Sequence, residues 1–521
     1  MRPHALSKYA RRVLMALTAA AAILSAAACG SGNGFTKPNP AGFSTSSLSG
    51  TYVFSSAGAD GNGAFIAIAG ALVADGSGNI PRGTMDVVDA AVTPTSPVAQ
   101  PITGSYSVSS DGRGQAKVSS SAGHFTFDFV LTSSSHGLIT EFDGNATGSG
   151  TIDLQTAVPT LSQLAGPYAF SLAGIDGNSN SFATAGAFTL NSSGATTAGV
   201  EDFNDAGVPI PNAPLTGTAT AGSGTGPGAI TLTSHFGALT FDFYPIDATH
   251  LKLIETDYTV AILTGDVFTQ TGATIPTGAM VFTMGGGVSA PVASGGLMTS
   301  DGAGNFTGGL EDVNNNGTVV AQVPFTGTAA AGGSVGGRVI VNLSGFVPAT
   351  QWVIYPSSGG LLMLETDSLN LTLGAAYAQT GQTLAASQDY GLNLSAFNTS
   401  GSFEEDDIAQ FQTTSSAFTG VVDINDDTVL SFGRALSGNY TVDSPATGRG
   451  EVTTTADSNT FVSFIFYAIN SSTALLLETD TNQIGTGTFE LQSASGAALA
   501  PQSRMLITRP GSRPHGALRR N

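Results

Sequence analysis

The chain has 521 residues, 41% of them hydrophobic and only 10% charged, with 68 glycines, one cysteine and a formal net charge of −20. All 37 carboxylates fall within residues 30–493 beside eight Lys and Arg, so this body is strongly acidic and repels nucleic acid. A lone cysteine excludes an internal disulfide framework, and with so few charges the wet positions fall to Ser, Thr, Asn and Gly, a composition suited to an all-β protein outside the cytoplasm.

Residues 1–28 read as a secretory signal. Arg2, Lys8, Arg11 and Arg12 form a positive leader, residues 13–28 are an apolar run of 16, and Ala26-Ala-Ala28 precedes Cys29. The run is short for a membrane-spanning helix. Small residues before the sole cysteine, with Gly30-Ser-Gly-Asn-Gly34 after it, resemble the lipobox of bacterial lipoproteins, although Ala26 stands where that signal most often has Leu. The resemblance implies cleavage before Cys29, lipid attachment at that residue, and anchoring to a membrane of the cell envelope without a spanning segment. An ordinary cleaved signal is the alternative. Residues 29–47 are rich in Gly, Ser, Asn and Pro and read as a flexible tether.

From residue 48 onward one unit recurs four times. Its acidic signature stands at Glu141-Phe-Asp143, Glu255-Thr-Asp257, Glu365-Thr-Asp367 and Glu478-Thr-Asp480, spaced by 114, 110 and 113 residues. The repeats span residues 48–156, 164–271, 276–380 and 386–493. Each reads as eight short runs rich in Thr, Phe, Val and Leu, parted by Gly, Asn, Asp and Pro. In the sixth run Phe125, Phe127 and Phe129 share one face, as do Leu239, Phe241 and Phe243, then Trp352 and Ile354, then Phe464 and Phe466; period-two aromatics predict a buried ladder. Asp75-Gly-Ser-Gly-Asn79 and Asp301-Gly-Ala-Gly-Asn305 put glycine where tight hairpins need positive φ.

Eight sequential strands in a unit of about 110 residues predict an antiparallel meander closed into a small eight-stranded β-barrel, an all-β architecture of four tandem units joined in a row. Immunoglobulin-like sandwiches are the alternative fold, and an eight-bladed propeller a third. Gly50-Thr-Tyr52 and Gly166-Pro-Tyr168 resemble the Gly-x-Trp opening of lipocalin-like and avidin-like barrels; the resemblance implies the barrel and carries no binding residues across.

Four features are candidate sites. The acidic turn after the third strand offers Glu201, Asp202 and Asn204, then Asp312, Asn314 and Asn316, then Asp423, Asn425 and Asp427, alternating oxygens that match the first half of a calcium loop. The bidentate Glu of such a loop is missing, since Val323 occupies its place, so a plain turn with Asp and Asn bonding their own backbone is the favoured reading and calcium the alternative. The Glu-x-Asp signature could bring Glu255 and Asp257 to Glu201 and Asp202 at one barrel mouth, where clustered carboxylates need a cation or shared protons. Gly332-Gly-Ser-Val-Gly336 has nucleophile-elbow spacing, but a strand pattern rather than a helix follows it. His124, His136, His235 and His250 stand at no metal-ligand spacing and read as surface or rim residues.

Residues 494–521 carry five arginines and no carboxylate, the composition of a disordered basic tail. The sequence as a whole predicts an exported, lipid-anchored envelope protein acting as a structural or binding module without catalysis. Its partners are a membrane through Cys29 and an envelope polymer or protein, with no cofactor unless calcium. A carrier of small apolar ligands inside the barrels is the alternative.

Overall fold

The computed structural model describes residues 42–493 apart from 93–98, 259, 334, 347–348, 400–402, 444–445 and 455–462. Cys29, the leader, the tether and the basic tail lie outside the described residues. All described residues belong to one compact unit.

Apart from one 3-10 turn at Thr45–Ser47, every regular element described is a β-strand. The first barrel runs from Ser49–Asp60 to Ala146–Leu154, the third from Gly278–Gly286 to Thr372–Ala378, and the fourth from Asp389–Asn398 to Gln483–Leu491. In each, eight strands pair in sequence order and the eighth returns to the first, closing the barrel. The second repeat, from Gly166–Asp176 to Ala261–Thr269, differs in one detail. Its fourth strand breaks at Leu215 into Val208–Pro214 and Thr216–Thr220, leaving a nine-stranded sheet whose two ends are consecutive in the chain. An Ala195–Thr218 bridge nearly closes it. The predicted meander barrels are therefore the fold, and sequential pairing with closure excludes the two-sheet sandwich.

Closure explains a glycine in the eighth strand of every unit. A Cβ on Gly150, Gly265, Gly374 or Gly487 would lie 1.7, 2.1, 2.0 or 2.3 Å from the carbonyl oxygen of Ser55, Ser171, Thr283 or Asn393 in the facing first strand. Those distances are well inside contact, so the first and eighth strands can approach this closely only over glycine. Gly150→Val should destabilise the protein by at least about 3 kcal/mol, the upper end of overpacking costs. Urea unfolding checks this, and an unchanged midpoint would contradict the closure.

The aromatic ladders point inward as their alternation predicts. Phe127, Phe129, Phe241, Phe243, Trp352, Ile354, Phe464 and Phe466 are all at most 5% exposed and fill the barrel interiors. In the third barrel Trp352 stands edge-on to Phe346 at 4.6 Å and to Phe282 at 5.6 Å. A void of about 20 Å3 remains inside the fourth barrel, beside Phe411, Phe418 and Phe464. Side chains, not space, occupy these interiors.

The units do not lie in an open row. Apolar clusters join the first, second and third barrels, then the third and fourth through Val281, Ala293, Ile465 and Leu475. Val130 and Leu138 of the first barrel meet Ile408 of the fourth. The chain thus closes into a ring of four barrels. Backbone bonds repeat around it: the residue after each eighth strand's Gln donates to the next barrel's hairpin, Thr156 N to Ile246 O at 2.9 Å, Thr271 N to Pro356 O at 3.2 Å and Thr380 N to Ile469 O at 2.7 Å. Ser493 N then reaches Thr132 O at 2.7 Å, carrying the same contact from the last unit back to the first. Spacing in sequence shows that units repeat; it carries no signal of which surfaces meet, and four joints of similar geometry bring the ends together.

Candidate functional site

The recurrent polar residues gather at the four seams. In the third strand of units two, three and four, the ladder skips a residue at Asp202, Asp312 and Asp423. Such a bulge turns the side chain outward. Each carboxylate accepts the N–H of a residue ten positions on, Asn212 at 2.9 Å, Gln322 at 2.9 Å and Gly433 at 2.5 Å, and all three donors have positive φ.

The rest of each carboxylate faces the next barrel. Asp202 receives Arg338 through Nε at 2.7 Å and Nη2 at 2.6 Å, together with the Tyr355 hydroxyl. Asp312 receives Arg449 through Nε at 2.8 Å and Nη2 at 2.9 Å, and Tyr467 at 2.6 Å. These are two-pronged guanidinium–carboxylate pairs in nearly dry surroundings. The other two seams are weaker. Asp423 meets only Arg113 at 3.6 Å, where Val130 replaces the tyrosine. Asp86, the first repeat's counterpart, has the Tyr244 hydroxyl at 2.6 Å but no arginine, since Pro227 stands in its place. Burial and the nearby Asp242 push Asp86 up to about 7.

Two residues on from Asp202, Asp312 and Asp423, an asparagine stitches across the seam. Asn204 donates to the carbonyls of Glu365 and Asn370, Asn314 to those of Glu478, Asp480 and Gln483, and Asn425 to those of Glu141 and Ala146, all at 2.8–3.1 Å. The glutamine directly after each eighth strand repeats the pattern from the other side. Gln155 donates to Pro245 O at 2.8 Å, Gln270 to Gly336 O, Gln379 to Thr447 O and Ala468 O at 2.9 Å, and Gln492 to Asp111 O and Leu131 O at 2.8 Å.

The Glu-x-Asp signature divides its labour. The aspartate pins the start of the sixth strand: Asp143 accepts Thr126 N at 3.2 Å, Asp257 accepts Thr240 N at 2.6 Å, Asp367 accepts Thr350 Oγ1 at 2.9 Å and Asp480 accepts Ser463 N at 2.8 Å. The glutamate is buried at the barrel mouth. Desolvation, followed by neighbouring carboxylates, pushes Glu141, Glu255 and Glu478 well above the usual range and Glu365 up to about 8. Glu201 also points into its barrel, accepting Thr184 Oγ1 at 2.8 Å, and burial moves it up to about 7.

The proposed calcium ligands are therefore dispersed. Glu201 lies inside a barrel; Asp202, Asn204, Asp312, Asn314, Asp423 and Asn425 serve the seams; Asn316 and Asp427 sit in hairpin turns at φ 49° and 46°. Among the described residues no group of three or more His, Cys, Asp or Glu is arranged to hold a metal ion. Ser334 of the Gly-x-Ser-x-Gly run lies outside the described residues, and a strand, Val339–Ser344, follows it.

One histidine departs from the expected surface placement. His136 is 2% exposed, with Nδ1 2.6 Å from Asp153 and Nε2 3.2 Å from Glu490 of the fourth barrel, so the ring buries an ion triad between its first and last units. Although desolvation opposes it, attraction by Glu490 and Asp153 holds the imidazolium up to about 10. Lys252 and His250 share Asp266 at 2.8 and 2.6 Å in the second barrel. Around the axis, Ser56, Ser149, Ser171, Lys252, Thr264 and Ser395 from three of the units contribute polar atoms to a cavity of about 100 Å3, room for several water molecules. Arg338, Arg449, the tyrosines and the glutamines were not singled out by motif; their recurrence at one repeat spacing is the signal that marks them.

No protein-family model and no curated protein matches the sequence. Among solved structures, the Trp-176-Ala mutant of the vaccine antigen transferrin binding protein B from Haemophilus parasuis is similar over 71% of this chain and 86% of its own, at 9% identity and a TM-score of 0.17. A superposition that loose carries no argument about fold or function.

Proposed function

We propose that the protein is an exported, lipid-anchored component of the bacterial cell envelope that works as a structural and binding module, without catalysis. The observation that carries this reading is the use made of the recurrent polar residues: aspartate, asparagine and glutamine at corresponding positions hold barrel to barrel, and the interiors are filled by aromatic rings. What such a body offers a partner is its outer surface and its barrel mouths. The filled interiors speak against a carrier of apolar cargo, which needs an enclosed pocket of several hundred Å3. Anchoring rests on the sole cysteine, directly after three alanines.

Cells expressing the full chain and fed an alkyne-tagged fatty acid test the anchor. The wild-type chain should carry the label and sediment with membranes, whereas Cys29→Ser should be unlabelled and released. An unlabelled wild-type chain, or a labelled variant, would overturn the lipid assignment.

A further inference from the structure

The mouth of the first barrel is built differently from that of the second. In the second, Phe182, Phe203 and Phe236 cover the opening, with ring centroids 5.8, 5.4 and 5.1 Å apart. Strand register aligns Phe182 with Ile66, since they face Gly174 and Gly58, and Phe203 with Val87, since they face Thr184 and Ile68. Phe236 corresponds to Ala122, each preceding the glycine that opens the sixth strand. Three rings are thus replaced by small or aliphatic side chains. A cavity of about 870 Å3 opens where they would stand.

Its wall is acidic. Asp60, Asp89, Glu141 and Asp143 line it beside His124, and among the described residues no Lys or Arg does. Three of these carboxylates are fixed by backbone N–H groups: Asp60 by Asn62 and Ala64, Asp89 by Ala91, and Asp143 by Asn145 and Thr126. Glu141 is different. It is 2% exposed, lines the cavity, and its carboxyl accepts no hydrogen bond from the described residues. Desolvation, then Asp143, Asp406 and Asp89, push it well above the usual carboxylate range, so it holds a proton in the free protein that an approaching positive charge would displace, leaving the carboxylate paired with the cation. Aromatic faces complete the wall. Phe125 comes from the first barrel, and Tyr258 reaches over from the second with φ 53°, a left-handed backbone uncommon for a bulky residue.

We propose that this mouth binds an organic cation, an ammonium or guanidinium group on an aliphatic stem. Fixed carboxylates supply charge-assisted acceptors, Glu141 supplies an acceptor with no other partner, and the two rings supply faces for a cation. A neutral sugar would leave the carboxylate charge uncompensated, and a metal ion would leave the rings and most of the volume unused. The inference deepens the binding-module reading and is independent of the anchor: loss of fatty-acid labelling would leave it standing.

Isothermal titration of the purified full chain with spermidine tests it, with calcium and maltotriose as the other arms. Spermidine should bind, and the affinity should fall at least tenfold in Glu141→Gln and in Ala122→Phe. The second variant places at an exposed position the ring that Phe236 provides in the second barrel, and it changes no charge. No heat with spermidine would overturn the proposal, as would undiminished binding in both variants. Maltotriose or calcium binding in place of spermidine would overturn the ligand class.

Discussion

Replacing Arg449 by Met should lower the unfolding free energy by about 3–5 kcal/mol, the cost of leaving a buried carboxylate without its cation. Arg449 and Asp312 are each 1% exposed at their side chains, and two guanidinium nitrogens contact the two carboxylate oxygens at 2.8 and 2.9 Å. Methionine keeps the aliphatic volume, so the loss reports the charge. Tyr467 and the Gln322 N–H remain on Asp312 but cannot neutralise it. Removing both charges should recover most of the loss, because an apolar replacement of a buried pair is close to neutral. Arg449→Met with Asp312→Leu should therefore be more stable than Arg449→Met alone. The homologous change in the first barrel, Arg113→Met, should cost less than about 1 kcal/mol, because that pair is 3.6 Å apart and its arginine is 24% exposed. Equal losses at the two seams in urea unfolding would contradict this account.

Stability should be greatest near pH 5 and fall steadily towards pH 9. Burial raises Glu201, Asp86 and Asp128 to about 7 and Glu365 to about 8, and holds Glu141, Glu255, Glu478 and Asp407 well above the usual range. The folded chain keeps these protons while the unfolded chain releases them near pH 4. Between those values the folded state binds more protons, so its stability declines as pH rises, by up to about 1.4 kcal/mol per pH unit for each such group. His136, held up to about 10, acts in the same direction: its contribution is complete below the ordinary histidine value and is lost as pH rises through 10. Asp266, lowered to about 2 by Lys252 and His250 against its burial, and Asp153, lowered by His136, work oppositely and lose their contribution only in strong acid. Thermal unfolding followed from pH 4 to 9 checks the sign. A midpoint that rises with pH would show that these carboxyls are ionised in the folded chain.

The barrels were legible because their signals are local. Alternation at Phe127 and Phe129 fixes a buried face, Asp75 to Asn79 and Asp301 to Asn305 fix hairpins, and the Glu-x-Asp spacing fixes the number of units. The ring was not legible, because Asp312 meets Arg449 across 137 residues and Asn425 meets Glu141 across 284, distances at which residue type alone names no partner. The same limit shaped the reading of the acidic turns. Alternating Asp and Asn suit a cation and suit a bulged strand facing a neighbour, and only the position of Arg338, Arg449 and the opposing carbonyls distinguishes the two. His136 was hidden for a related reason. Its partner Glu490 belongs to the far end of the chain, so a histidine that reads as a rim residue in one barrel is interior in four.

Ring closure is tested most directly by a distance between the first and fourth units. Spin labels at Asn145→Cys and Thr428→Cys, in a chain that begins after Cys29, mark two positions that line the same cavity from the first and the fourth units. Double electron–electron resonance should return a narrow distribution at the short end of the measurable range, unchanged by dilution. A broad distribution at separations spanning two intervening barrels would mean the units are strung in a row and would contradict the ring.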